Sequence, residues 1–246
     1  MQDYSTLGNE GTTRVFFKGL EDHLIRLIQE ADILLGCVAW LTSEPILEAL
    51  SKKKGVSIIV QKEDFLRPDL VPDNNWSRRL RQLYESLPRR LDWRDFSGPL
   101  GMLASETDPI IDPVRCVGNY NTNKQPACPR SHHKFVLFCR ATENCTCKSC
   151  QGRKKFFIEV MKEFCDCDHC LKYEDHMMHI RPYAAWTGSF NFTRNAVMSF
   201  ENAVVLYDTK IVDAFYEEYS QIAALSEPLD WTKPWIDPQW RIQTWT

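Results

Sequence analysis

Two short segments carry the residue types that phosphoryl chemistry needs. They are His132-His133-Lys134-Phe135-Val136-Leu137-Phe138 and Thr187-Gly188-Ser189-Phe190-Asn191-Phe192. Side chains alternate across a β-strand, so His132 and Lys134 share one face while His133 takes the other and reads as a support residue. The apolar run Phe135 to Phe138 reads as a buried strand, which sets the His-x-Lys pair at the rim of a core. A phosphodiester needs a nucleophile, a cationic clamp and a proton donor to the leaving oxygen. Histidine can attack phosphorus and hold the phosphoryl group covalently. Lysine offsets charge on the non-bridging oxygens, and Ser189 and Asn191, two residues apart, can add hydrogen bonds to them. An imidazole nucleophile also needs its far nitrogen oriented, usually by a carboxylate. Glu201, just ahead of the apolar strand Ala203 to Leu206, is the candidate.

Taken singly, each motif is weak, since His-x-Lys is common and Gly-Ser-x-Asn is usually a turn. In this order, with apolar flanks and a trailing glutamate, the pair resembles the active-site motif of the phospholipase D/nuclease superfamily. Members of that family cleave phosphodiester bonds without a metal. The resemblance implies that His132 becomes a phosphohistidine, that Lys134, Ser189 and Asn191 bind phosphate, and that Glu201 is the family's acidic residue after the second motif. It implies an α/β fold, a mixed β-sheet flanked by helices in an αβα sandwich, over one domain spanning residues 1–246. Residues 12–61 also look like the family's opening helix-strand-helix-strand. The family's full motif has an aspartate five residues after the lysine, where this chain has Cys139. The tyrosyl-DNA phosphodiesterase branch lacks that aspartate too. The family's enzymes use a second copy of the histidine as general acid, and this chain carries one copy. A homodimer with its active site across the two-fold axis would supply the second through one isologous interface. A monomeric, inactive protein is the alternative.

The chain has ten cysteines. Six form a repeat, Cys145-x-Cys147-x-x-Cys150 and Cys165-x-Cys167-x-x-Cys170, a spacing that lets thiolates converge on one tetrahedral ion. Zinc is the usual occupant, with an iron–sulfur cluster or a disulfide framework as alternatives. The chain starts without a charged and then apolar leader, so a reducing intracellular compartment such as the cytoplasm is expected, and there clustered cysteines favour metal over disulfides. Cys116 and Cys128 would bring the ligand set to eight, enough for two structural zinc ions. His169, His176, His179 and Cys139 are alternative ligands, and Cys37, in the apolar run Ile33 to Trp40, reads as a core residue. A cysteine-rich insert is therefore expected over 140–182, a zinc-pinned hairpin or helix beside the catalytic strand, with a short helix from Phe156 to Phe164. Arg153, Lys154 and Lys155 within it either contact phosphates or form a solvated turn.

The remaining elements are those that must hold the two motifs. Leu20, Leu24, Leu27 and Ile28 follow helical spacing. Ile33 to Trp40 reads as a strand buried on both faces. Pro45 opens a helix, Gly55 precedes a strand from Val56 to Val60, and Trp76, Leu80, Leu83, Tyr84 and Leu87 mark another helix. Residues 95–131 read as loop with a short strand near Val114 to Val117, and Ile211, Phe215, Tyr219 and Ile222 belong to a last helix. The tail carrying Trp231, Trp235, Trp240 and Trp245 is expected to pack across the body or a dimer partner.

Composition bounds the function. A 43% hydrophobic fraction over 246 residues describes a globular chain, and no apolar run approaches the ~20 residues of a membrane span. A net charge of −3 excludes a general polyanion binder, so nucleic-acid contact needs a local patch. Candidates are Lys52 to Lys54, Arg78 with Arg79 and Arg81, and Arg89 with Arg90, each also readable as a solvated face. The leading expectation is a metal-independent nuclease or phosphodiesterase acting on DNA or RNA. A lipid phosphodiesterase is the second, and would want an apolar surface near the site. A non-catalytic, zinc-stabilised nucleic-acid-binding module is the third.

Overall fold

Ile33–Val38 (β2) is buried at every position, as its unbroken apolar run requires, and it lies near the middle of the sheet that organises the molecule. The computed structural model describes residues 13–67, 69, 74–92, 96, 110–121, 130–145, 154–156 and 176–231. The other strands are β1 (Thr13–Phe16), β3 (Gly55–Gln61), β4 (Val114–Val117), β5 (Lys134–Cys145), β6 (Lys154–Phe156), β7 (His176–Gly188) and β8 (Ala203–Leu206). They form one sheet in the order β1-β8-β7-β5-β2-β3-β4, with β6 paired to β5. The strands β2, β3 and β4 are parallel; β5, β7, β8 and β1 join them by antiparallel pairing. This is the mixed sheet expected from the sequence, with β1 as an edge strand that the sequence reading did not include.

Helices α1 (Leu20–Glu30), α2 (Glu44–Leu50) and α3 (Asn75–Glu85) contribute to the core on one face of the sheet. Leu24, Ile28, Ile46, Leu47, Leu80 and Leu83 meet Leu34, Val136, Phe138 and Trp186 there. A short helix α4 (Arg194–Val197) precedes β8, and helix α5 (Thr209–Leu225) covers the other face, where Val212, Tyr219 and Ala223 pack with Leu35, Phe135 and Leu137. Side chains cap several of the helix starts. Ser43 caps α2 by accepting from the Ile46 amide at 3.4 Å. Asn74 and Ser77 form a reciprocal capping box on α3, and Asp208 caps α5.

The lysine run Lys52 to Lys54 is structural at two of its three positions. Lys53 Nζ donates to the Gln29 and Ala31 carbonyls at 2.9 and 2.7 Å, closing the end of α1, and Lys54 pairs with Asp32 at 2.8 Å. Trp231 is buried, with the Arg67 guanidinium 5.3 Å above its ring. Trp235, Trp240 and Trp245 lie outside the described residues.

The span expected as an insert begins and ends as sheet. Strands β5 and β7 continue as an antiparallel pair past Ala141 opposite Ile180 to Cys145 opposite His176, and β6 adds Lys154 to Phe156 against Thr142 to Asn144. Lys154 and Lys155 therefore sit in a strand rather than a turn. Phe156 ends that strand, and the rest of the expected helix to Phe164 lies outside the described residues. Among the described residues no helix is long and apolar enough to cross a membrane.

Candidate functional site

The sheet register brings the two motifs together. Lys134, the first residue of β5, pairs with Val38 at the end of β2, and the next residue, Phe135, pairs with Thr187 near the end of β7. Gly188 pairs with Ala203, so the turn after β7 and the entry to β8 lie beside Lys134. Asn191 arrives from the same turn. The Phe192 carbonyl accepts from the Thr42 and Ser43 amides at 2.7 and 2.9 Å, stitching this segment to the chain that leaves β2.

His132 and His133 precede the strand, and their sides are as the alternation requires. Lys134 Nζ stands 3.1 and 3.2 Å from the two ring nitrogens of His132 and donates to its carbonyl at 3.0 Å. The lysine is nearly buried, at 9% exposure, while the imidazole reaches solvent. His133 turns the other way, its Nε2 3.5 Å from a Glu218 carboxylate oxygen on α5 and its ring edge against Phe135.

Within the chain Glu201 bonds Ser189 rather than His132. Its carboxylate accepts from Ser189 Oγ, and the Asn202 amide donates to the same Ser189 oxygen at 3.1 Å. Among the described residues Glu201 makes no hydrogen bond to His132, because the serine stands beside it and Lys134 occupies the imidazole. Ser189 correspondingly spends its proton on Glu201. The carboxylate acts on Lys134 through charge: burial pushes the ammonium pKa down and Glu201 pulls it part-way back. Asn191 keeps a buried Oδ1 with no hydrogen-bond partner among the described residues. Its side chain lines an open groove of about 1150 Å³ together with Trp40, Phe65, Trp76, Arg194 and Glu201. The Oδ1 atom accepts, so what it lacks is a donor, and only the amide nitrogen of Asn191 could donate to a phosphate oxygen.

Sequence reasoning missed a further cluster. Glu63 Oε1 accepts from Trp40 Nε1 and from Arg130 Nη1, both at 3.1 Å, and the Trp40 ring stands edge-on to the His132 ring at 6.3 Å. Trp40 and Glu63 follow the ends of β2 and β3 and carried no local signal. Arg130 did carry one, being two residues ahead of His132 in the alternation that Lys134 continues. Gln61 fixes the approach to this segment. Its Oε1 accepts from the Ser131 amide at 2.6 Å, and its Nε2 donates to the Asn119 carbonyl at 2.8 Å. Gly118 has a left-handed backbone, φ +90°, and a side chain there would meet Gln61 Oε1 at 2.3 Å.

Burial first, then the charges of Lys134, Arg130 and His133, hold the His132 pKa below its ordinary value. The imidazole therefore stays neutral, and nucleophilic, to lower pH than a free histidine near pH 6.5. Titration followed by the His132 C2–H resonance should show a midpoint below that of the denatured chain. Lys134→Met should raise it, since a removed cation no longer opposes protonation. A native midpoint at or above the denatured one would refute this charge arrangement.

Cys139 is fully buried and packs with Leu35, Cys37, Phe135 and Leu137 on the α5 side of β5, the face away from Lys134. Cys139 thus cannot reach the His132–Lys134 pair directly, and burial holds its thiol well above the usual pKa.

The expected cysteine ligands do not all share one place. Register links Cys116 to Val60, Val60 to Val38 and Val38 to Lys134, so Cys116 lies at the Lys134 end of the sheet. Cys145 ends β5 at the far end. The strand between Lys134 and Cys145 rises about 36 Å, so Cys116 and Cys145 of one chain are too far apart to share an ion. Cys116 Sγ instead donates to the Glu227 and Pro228 carbonyls at 3.5 and 3.2 Å, and burial pushes its thiol up to about 12. Cys128, Cys147, Cys150, Cys165, Cys167, Cys170 and His169 lie outside the described residues, and the strand positions of Cys145, His176 and His179 are defined by backbone alone. Among the described residues no group of metal-ligating side chains converges.

No family model matches the chain. It is 25% identical over 236 residues to an uncharacterized protein of Acanthamoeba polyphaga mimivirus, covering 93% of this chain and 71% of that one. Among solved structures, NucT from Helicobacter pylori superposes with a TM-score of 0.45 at 12% identity, covering 85% of this chain and 94% of that one. Nuc from Salmonella typhimurium, a phospholipase D family member, gives 0.44 at 14% identity, with 88% and 96% covered.

Proposed function

We propose that the chain is a metal-independent phosphodiesterase of the phospholipase D type, and that it acts as a nuclease on DNA or RNA. The observation that carries this reading is the Lys134 ammonium held within 3.2 Å of both His132 ring nitrogens, beside the Ser189–Glu201 pair and Asn191. A neutral imidazole next to a buried cation suits attack on a phosphodiester. His132 forms a P–N bond as the P–O bond to the leaving group breaks. The leaving oxygen takes a proton from the second histidine of the site, the partner copy's His132 in a symmetric dimer. Water then attacks phosphorus, releases His132 and returns a proton to that second histidine. Lys134 and the Asn191 amide hold the non-bridging oxygens, and Glu201 holds Ser189 and tempers the charge of Lys134. Zinc has a structural role in this reading, held by the cysteines of the two Cys-x-Cys-x-x-Cys repeats.

A lipid phosphodiesterase is the second reading, favoured by Met198 and Phe200, which are 85% and 90% exposed. Met198 lines the same groove as Asn191, which supplies the apolar surface such an enzyme would want. Labelled single- and double-stranded DNA and RNA, and phosphatidylcholine vesicles, are the substrates to compare, each in excess EDTA. Cleavage of a nucleic acid that survives EDTA by a protein of twice the chain mass is the expected result. Cleavage of phospholipid alone would move the assignment to the second reading. Activity restored only by added metal, in protein still folded by circular dichroism, would overturn both.

A further inference from the structure

Among the described residues Lys134 is the one cation in contact with His132, and it is faced by Glu201. Ser189 has committed its proton to that same glutamate. A phosphoryl group entering beside His132 would therefore meet, from each copy of the chain, one tempered ammonium and an asparagine amide. A further cation beside them would offset more of the charge that builds on the non-bridging oxygens. Arg130, whose charge acts on His132, is placed to supply it. The residues that follow it are tied down, Ser131 to Gln61 and the His133 carbonyl to the Ala39 amide at 2.9 Å. Glu63 takes one guanidinium N–H and, on the same oxygen, the indole N–H of Trp40, whose ring edge meets His132. Arg130 and His132 are thus both set against the Trp40–Glu63 pair. A guanidinium has five N–H donors; Glu63 uses one, and the described residues use no other. The arginine side chain is 37% exposed, so its remaining donors reach solvent, while the glutamate that holds it is 17% exposed.

We propose that Arg130 is a second phosphate-binding cation of this site and that Glu63 is its positioning residue, an inference that rests on the phosphodiesterase reading. Glu63 does not neutralise the arginine's function. It fixes one edge of a planar fork so that the other edge faces an anion, which suits paired phosphate oxygens better than a lysine would.

Inorganic phosphate is the probe, titrated by calorimetry into the full chain alongside measurement of kcat/KM. Arg130→Ala should weaken phosphate binding by about tenfold or more, the range of a charged hydrogen bond, and lower kcat/KM in parallel without changing the melting temperature. Arg130→Lys should recover part of both. Glu63→Ala should weaken phosphate binding in the otherwise native chain and do nothing further in an Arg130→Ala background, a non-additivity that a purely structural glutamate would not give. Native protein that binds phosphate and cleaves substrate, with Arg130→Ala equal to it, would overturn this inference and leave the phosphodiesterase reading standing. Native protein that neither binds phosphate nor cleaves any phosphodiester would overturn both.

Discussion

Replacing His132 with alanine should abolish phosphodiester cleavage, with a loss on the order of 10⁴-fold or more in kcat, as expected when a covalent nucleophile is removed. The imidazole is exposed and, among the described residues, makes its polar contacts with Lys134, so the fold should tolerate its loss within about 0.5 kcal/mol. Lys134→Ala should cost on the order of 10²- to 10³-fold, and also some stability, because the aliphatic stem of Lys134 is buried at the mouth of the sheet. His133→Ala is the informative control. It has the same residue type one position along, yet it faces Glu218 on α5 across the sheet from Lys134. It should keep most of the activity. Initial rates in EDTA, read with melting temperatures for all three variants, decide the matter. An inactive His133→Ala beside an active His132→Ala would reverse the assignment.

Gly188→Ala should damage both fold and site. A Cβ at Gly188 would lie 2.2 Å from the Asn202 carbonyl oxygen and 2.8 Å from the Ala203 Cα, both backbone atoms that no rotamer change can move aside. The strand ends must separate, which costs about 1–3 kcal/mol as overpacking. For a chain of this length that lowers the melting temperature by roughly 3–10 °C. The separation falls on the seam that assembles the site. The Ser189 amide donates to the Asn202 carbonyl at 3.1 Å, and the Asn202 amide donates back to Ser189 Oγ, which in turn holds Glu201. Activity should therefore fall by more than the lost stability accounts for at a temperature where the variant remains folded. Unchanged melting and unchanged rate in Gly188→Ala would mean that this close approach does not hold the site together.

The motifs and the elements nearest them were legible because their signals are local. Strand alternation put His132 with Lys134 and His133 opposite. The unbroken apolar run of β2, the spacing of Leu20, Leu24, Leu27 and Ile28 in α1, and the apolar stretch of β8 named those elements almost to the residue. Glu201 illustrates where such reasoning stops. The sequence marked it as a functional carboxylate, but its hydrogen bond to Ser189 rather than His132 depends on how β7 and β8 are registered. The same holds for the β5–β7 hairpin. Its continuation to Cys145 and His176 is paid for by cross-strand pairing that no single segment reveals.

By itself the sequence determined which residue types can do phosphoryl chemistry, on which side of a strand they fall, and that a sheet flanked by helices would carry them. These follow from residue-by-residue sterics and the burial of apolar side chains, which act over a few positions at a time. Tertiary structure alone decided that Trp40, Glu63 and Arg130 meet around His132 and that Cys139 is shut away in the opposite core. It also set Cys116 and Cys145 at opposite ends of the sheet. Those placements come from strand order and register, which are chosen by the packing of the whole sheet at once, so no local pattern in the chain encodes them.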